Sequence, residues 1–535
     1  MPTVKLSASR CHSASHHGPL SSGIGTSPYQ KPRQEEICVP IRLRFLLDTN
    51  ILIPLHDSMR VLAPSLADFM RLCNAHGHQL LYHPASIDDI SRDPDADRRT
   101  RTLARLPQYT LLPEGSACEW NTPGMSANDI CDNRILWALK QNAAHALVTE
   151  DQGLHRKARA YGLSKQVYYI QAADDWLKRL HEPGSITLPN IEEVDLHTLT
   201  PQLDSDFFSS IRGDYAGFND WFRRIAMEGR RAWVYREPGR GDIHAICIFV
   251  VQTDEEITDD GQILRGPALK LCTFKVGEAV RGRKIGELFL RAAFQYATQH
   301  QCEHIFLHAN SRQQDHLTSL IEDFGFRERG RYRGDAVFVK DHPVRPPGAQ
   351  MDALEYVRRY YPHYIGGIDV QKFIIPILPE FHSILFPDWL IPGQALPAGH
   401  PLRHVGNAIK LAYLSNAASK MPRPGDVVLF YRSHDQRAIT TVGVIERYES
   451  MGEADEIARL VSRRTVYSDA QIAQLTRQNQ RRATKVMLFR LIKHFDTPVT
   501  YQQLQNPLRV VSGPIQSITH ITDESFSRIL AAADR

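Results

Sequence analysis

The chain of 535 residues contains no uninterrupted apolar run of the roughly 18 residues that a membrane helix needs. Its richest candidate, Phe373 to Leu396, is broken by several prolines and by Glu380, His382 and Asp388, so no membrane partner is expected. Cysteine is scarce. Eight occur, none in a CxxC pair and none beyond Cys302, and reduced thiols in a cytoplasmic protein are the reading that follows. Net charge is small as well, with 64 Lys and Arg against 60 Asp and Glu, which alone demonstrates no polyanion partner. No internal repeat is visible at any period. With 42% hydrophobic and 23% charged residues the composition is globular, which excludes wholesale disorder and fibrous repeats.

What is present is length enough for about three or four domains and an uneven distribution of charge. From Leu396 to Arg535 there are 19 Lys and Arg against 12 Asp and Glu, so the basic excess lies wholly in the last quarter, a hint of nucleic acid there. Residues 1–40, rich in Ser, His, Gly and Pro and without an apolar h-region, suggest a disordered leader rather than a secretory signal. Short strand-like runs alternate with helix-like segments over 41–180, which predicts a parallel α/β sheet. A second domain is expected over 195–341, bounded by HEPGS and by the Pro-rich HPVRPPG. Residues 342–395 are expected to be a connector, and 396–535 a small mixed barrel.

The sharpest motif is Leu46-Leu47-Asp48-Thr49-Asn50, an apolar strand ending in a carboxylate. Carboxyl ends of strands in an open parallel sheet face the ligand crevice. A second strand, HALVT, ends in Glu150-Asp151. Asp129 and Asp132 share a face of the helix NDICDNRILWALKQ, and PASIDDISRD places Asp88 and Asp89 at another helix start. Several carboxylates converging at one sheet end repel each other unless a cation lies among them, and all-oxygen ligation suits Mg2+ or Mn2+. That is the chemistry of a metal-dependent nuclease. LLDTNILI, DICDNRILWAL and LVTEDQGL, in this order, resemble the PIN-domain family of metal-dependent ribonucleases. The resemblance implies Asp48, Asp89, Asp132 and Asp151 as metal-binding and catalytic acids, with Asn50 and Thr149 in support. Asp89 stands where the family usually has Glu, and Asp88 is the alternative. A single Asp before a helix is more often only an N-cap.

The second motif is KVGEAVRGRKIGELFLRAAFQYATQ, where a strand hands over to a long amphipathic helix through a basic turn. Unpaired N–H groups at a helix start bind phosphate. With HIFLHAN and Phe324-Gly325-Phe326 downstream, this series resembles the GNAT superfamily of acetyl-CoA-dependent N-acetyltransferases. The implied cofactor turn is Arg281-Gly282-Arg283-Lys284-Ile285-Gly286, with Asn310 at the end of the following strand. Lys284 replaces a usual glycine, and Ile321 stands where a general-acid Tyr is common. His308 is a candidate base with a suitable pKa.

The last segment, with PGDVVLFY and PIQSI, resembles PUA-like barrels of the ASCH or EVE kind, which implies RNA recognition. The basic helix QLTRQNQRRATK and Tyr431 would offer phosphate contacts and a base-stacking surface. The expected whole is a cytoplasmic multidomain α/β protein: a PIN-like parallel sheet, a GNAT domain using acetyl-CoA and a PUA-like mixed β-barrel. RNA, tRNA first, is the expected partner, and a toxin role with an antitoxin partner is the expected setting. The alternatives are an N-acetyltransferase of a protein or small-molecule amine with a silent PIN module, and a non-catalytic RNA-binding regulator.

Overall fold

The computed structural model describes residues 41–534 apart from 57–61, 114, 183–189, 238–240, 282, 311–313, 390–407, 420, 463–466 and 479–482. The expected leader, Gly282 of the basic turn and the Arg481-Arg482 pair therefore lie outside the described residues.

The first sheet contains β1 (Arg44–Leu47), β2 (Gln79–Tyr82), β3 (Thr110–Leu111), β4 (Ala146–Val148) and β5 (Val167–Tyr168), in the order β3-β2-β1-β4-β5. All four pairings are parallel, as the alternation of strand and helix predicts. Parallel sheets bury both faces, and β1 shows it: Phe45 and Leu47 enter one core with Phe69 and Trp176, while Leu46 enters another with Leu136 and Leu154. Polar residues start the covering helices. Ser126 accepts from the Asp129 N–H at 3.1 Å to open the helix Ala127–Lys140. Asp151 opens Gln152–Ala160.

The second sheet contains β6 (Ile191–Asp195), β7 (Arg231–Arg236), β8 (Ile243–Glu256), β9 (Ile263–Val276), β10 (His304–Ala309), β11 (Arg327–Tyr332) and β12 (Asp335–Asp341), ordered β11-β12-β10-β9-β8-β7-β6. Only β9 and β10 run parallel. Their pairing stops at Leu271 and Leu307 although both strands continue, so they diverge at their carboxyl ends. Against this sheet lies the helix Ile285–Gln299. Ten of its residues are buried, Glu287 and Arg291 included. The sequence predicts an amphipathic helix here; the polar side is buried as well, because a further sheet covers it.

That third sheet contains β13 (Lys372–Ile377), β14 (Lys410–Ser415), β15 (Val427–Arg432), β16 (Ala438–Met451), β17 (Thr484–Thr500) and β18 (Thr519–Ile521), ordered β14-β17-β16-β15-β13-β18. The expected closed barrel is corrected: the sheet is open, with β14 and β18 as edges among the described residues. β13, inside the stretch read as a connector, is an interior strand of this sheet, parallel to β15. Tyr431 is also corrected as a stacking surface. It is 4% exposed and faces the core.

The cores do not respect the boundaries of the three sheets. One cluster joins Leu288, Phe294 and Phe324 to Val427, Val442 and Phe526. Another joins Phe45 and Trp176 to Ile457, Val461 and Leu488. Buried charges complete the seam between the second and third sheets. Arg490, fully buried, meets Glu446 at 2.6 Å and donates to the Asp323 carbonyl at 2.9 Å. Lys410 pairs with Asp323, and Arg291 pairs with Asp388, which His494 also contacts at 3.2 Å.

Candidate functional site

At the carboxyl end of the first sheet, Asp48 leaves β1 and is 6% exposed. Thr149 Oγ1 (2.6 Å) and Asn50 Nδ2 (2.8 Å) donate to its Oδ2, and the Thr49 N–H donates to Oδ1 at 2.8 Å. Burial pushes this carboxyl up to about 6; the hydrogen bonds from Thr149 and Thr49 oppose the rise, and repulsion from Asp132 and Asp151 adds to it. Asp89 reaches the cluster through Thr49, whose hydroxyl donates to it at 2.7 Å. Asp88 is turned away, paired with Arg134 at 2.9 Å. The residues expected in support, Asn50 and Thr149, thus do bind the first acid, and Asp89 rather than Asp88 joins it.

The acids expected to hold a metal, Asp48, Asp89, Asp132 and Asp151, have protein partners of their own. Lys157, on the helix that Asp151 caps, sends its ammonium to Asp132 at 2.7 Å and Asp129 at 2.5 Å. Asp151 Oδ1 accepts from the N–H groups of Gly153 (2.6 Å) and Leu154 (3.2 Å), the ordinary N-cap role. Asp89 is paired with Arg92 at 2.9 Å. Among the described residues no group of three or more Asp, Glu, His or Cys could hold a metal ion. The acids share one end of the sheet, where a lysine and helix N–H groups engage them. Lys157 was missed in sequence because nothing local shows that it folds back onto two acids 25 and 28 residues away.

The basic turn lies where β9 and β10 diverge. Lys284 takes the left-handed conformation (φ 60°) and precedes the helix Ile285–Gln299, whose start has no side-chain cap. Its first-turn N–H groups are therefore left for a ligand or solvent. The side chains of the turn are differently engaged from the sequence expectation. Arg283 pairs with Glu237 at 3.0 Å and with Asp175, from the first sheet's helix Ile170–His181, at 3.2 Å. Lys284 Nζ donates to the Lys410 carbonyl at 3.5 Å. Arg281 pairs with Glu278 at 3.1 Å and lies 5.8 Å from the ring centroid of Tyr169. Ile285 is a core residue, 1% exposed. Gly286 sits close to the helix Asp315–Glu322: a Cβ there would stand 2.7 Å from the Leu320 Cδ2, which would have to shift.

Asn310 follows β10 as the resemblance implies, and its carbonyl accepts from the Gln314 N–H at 2.8 Å. Ile321 is wholly buried and supplies no acid. His308 is corrected as a base of suitable pKa. Burial pushes it down to about 4, the Lys270 charge lowers it further and Asp259 opposes, so it is neutral at pH 7 and a weak proton acceptor. Its Nε2 is buried without a hydrogen-bond partner, and Tyr332 packs 5.0 Å away between ring centroids.

No helix of the described residues is long and apolar enough to cross a membrane. No curated protein matches the chain in sequence. Among solved structures, the ASCH protein from Zymomonas mobilis is 14% identical, matching 30% of this chain and 94% of its own at a TM-score of 0.23. An acetyltransferase of the GNAT family from Staphylococcus aureus MU50 is 15% identical over 29% of this chain and 99% of its own, at 0.23. The IAA acetyltransferase from Bacillus cereus ATCC 14579 is 14% identical over 28% and 97%, at 0.20. Residues 198–326, which include β7 to β10 of the second sheet, match the acetyltransferase (GNAT) family.

Proposed function

We propose that the chain is an acetyl-CoA-dependent N-acetyltransferase whose cofactor phosphates are received by the turn from Arg281 to Gly286. The observation that carries this reading is the uncapped start of the helix Ile285–Gln299 beside two diverging strands, within the segment that matches the GNAT family. When bound, acetyl-CoA supplies an activated acyl group. The chain's own part is to bind and orient. First-turn N–H groups and Arg281 address phosphate, the gap between β9 and β10 admits an extended ligand, and neutral His308 can accept a hydrogen bond from an amine.

An RNA-linked amine is the acceptor class favoured by the resemblances of the flanking segments; a protein or small-molecule amine is the alternative. Titration of the full-length chain with CoA should show saturable binding, weakened several-fold by Lys284→Glu. Labelled acetyl-CoA offered with total tRNA, lysate protein and polyamines then identifies the acceptor. Absence of CoA binding at millimolar concentration removes the reading.

A second reading, a ribonuclease in the N-terminal segment, is favoured by one observation: Asp48 is buried within range of Asp132 and Asp151, a charge deficit that a cation would relieve. Lys157 already neutralises two of the neighbouring acids. If this site takes a divalent ion, Lys157→Ala should tighten Mn2+ binding and Asp48→Asn should abolish Mn2+-dependent RNA cleavage. RNA left intact by both the wild type and Lys157→Ala removes this reading.

A further inference from the structure

The acidic end of the first sheet and the basic turn of the second meet at a few side chains. Glu150, after β4, accepts from the Ile170 N–H at 2.8 Å. Tyr169, between β5 and that helix, stacks on His155 (centroids 3.9 Å apart, planes at 20°) and shares a hydrogen bond with His316 of the helix Asp315–Glu322. Arg281 lies against the same tyrosine, and Asp175 on the next turn of its helix pairs with Arg283.

These contacts change what the turn can offer a ligand. Arg283 has two carboxylate partners, Asp175 and Glu237, so its charge is already compensated and does not serve the phosphates. What remains is Arg281, whose one carboxylate partner, Glu278, is largely exposed, and the direction of the N–H groups after Lys284. A left-handed conformation is uncommon for a residue with a Cβ and persists where the surroundings fix it. Here the surroundings come from both sides: Asp175 of the N-terminal segment holds Arg283, and the Lys410 carbonyl of the third sheet holds the Lys284 side chain.

We propose that Asp175 and Tyr169, contributed by the N-terminal acid-bearing segment, are positioning residues of the acyl-CoA site: Asp175, through Arg283, sets the start of the helix Ile285–Gln299 so that its first-turn N–H groups face phosphate, and Tyr169 sets Arg281. The inference rests on the acetyl-CoA reading above and goes beyond it, because it makes the first sheet a part of the cofactor site.

Calorimetric titration of the full-length chain with CoA tests this, with melting temperature as the check on folding. Asp175→Asn is expected to raise the Kd for CoA about tenfold and Tyr169→Ala several-fold, while Asp175→Glu, which keeps the carboxylate, returns most of the affinity. An unchanged Kd in Asp175→Asn overturns the proposal. If the Asn variant melts below the wild type, the Glu variant decides: affinity no better than that of Asn also overturns it. A wild-type chain that binds no CoA overturns the acetyltransferase reading instead.

Discussion

Burial displaces the pKa values of Asp48 and His308 in opposite directions, and in both cases toward the neutral form. Asp48 in the folded chain binds its proton more tightly than in the unfolded chain, where its pKa is about 3.8. Its contribution is therefore fully present below about pH 4 and is lost as pH rises through about 6. Relative to a neutral isostere the ionised form costs about 2–3 kcal/mol at pH 7, since one pKa unit is about 1.4 kcal/mol. The melting-temperature gap between Asp48→Asn and the wild type should accordingly widen in favour of the Asn variant between pH 4.5 and 7; a gap independent of pH would refute this. His308 is neutral across the same range. His308→Gln should leave the pH profile of acetyl transfer without a lost limb near pH 6.5, and a limb that disappears with the substitution would restore the histidine as base. Both residues were identified from sequence as candidates, because each follows or ends a short apolar strand. Their protonation was not legible, since it depends on what packs over them.

At the scale of elements, the helix Ile285–Gln299 determines most of the architecture. Its sequence announces a start after a basic turn and an apolar face; the helix begins without a side-chain cap after Lys284 and buries that face. The burial of Glu287 and Arg291 was not legible, because their partners, Lys410 and Asp388, lie 123 and 97 residues away. Removing one member of a buried ion pair leaves the other charge uncompensated, at a cost of about 3–5 kcal/mol. Asp388→Asn should therefore lower the melting temperature markedly, as Arg291 is 4% exposed. Burial alone would raise the Asp388 carboxyl; Arg291 and the hydrogen bond to His494 outweigh it and hold the group well below the usual range. Its contribution is present above the unfolded pKa and is lost only on strong acidification, so the effect of the substitution should be constant from pH 5 to 8. A smaller joint works by shape. Gly325 has φ 88°, and a Cβ there would stand 2.5 Å from the Arg358 carbonyl. Gly325→Ala should loosen the helix Ala353–Tyr360 from the second sheet and cost more than the roughly 1 kcal/mol of left-handed strain alone, measurable by chemical denaturation.

For the whole molecule, three sheets share two continuous cores, and the family match covers the middle of them. A chain restricted to residues 190–341 would expose Leu288, Phe294 and Phe324, together with buried Glu287 and Arg291. It should bind a hydrophobic dye and aggregate, whereas residues 41–534 stay in solution; a stable, monomeric 190–341 chain would refute the shared core. Local pattern by itself determined the strand–helix alternation of residues 41–180, the acids at the strand ends and the basic turn before a long helix, because each depends on neighbours within a few residues. It did not determine that the third sheet stays open, that the 342–395 stretch supplies an interior strand, or that Lys157 occupies two of the acids. Only the tertiary structure decided these, and with them that Asp175 and Tyr169 reach the turn. Each rests on a contact between residues far apart in the chain, where geometry and burial rather than local propensity set which charge meets which.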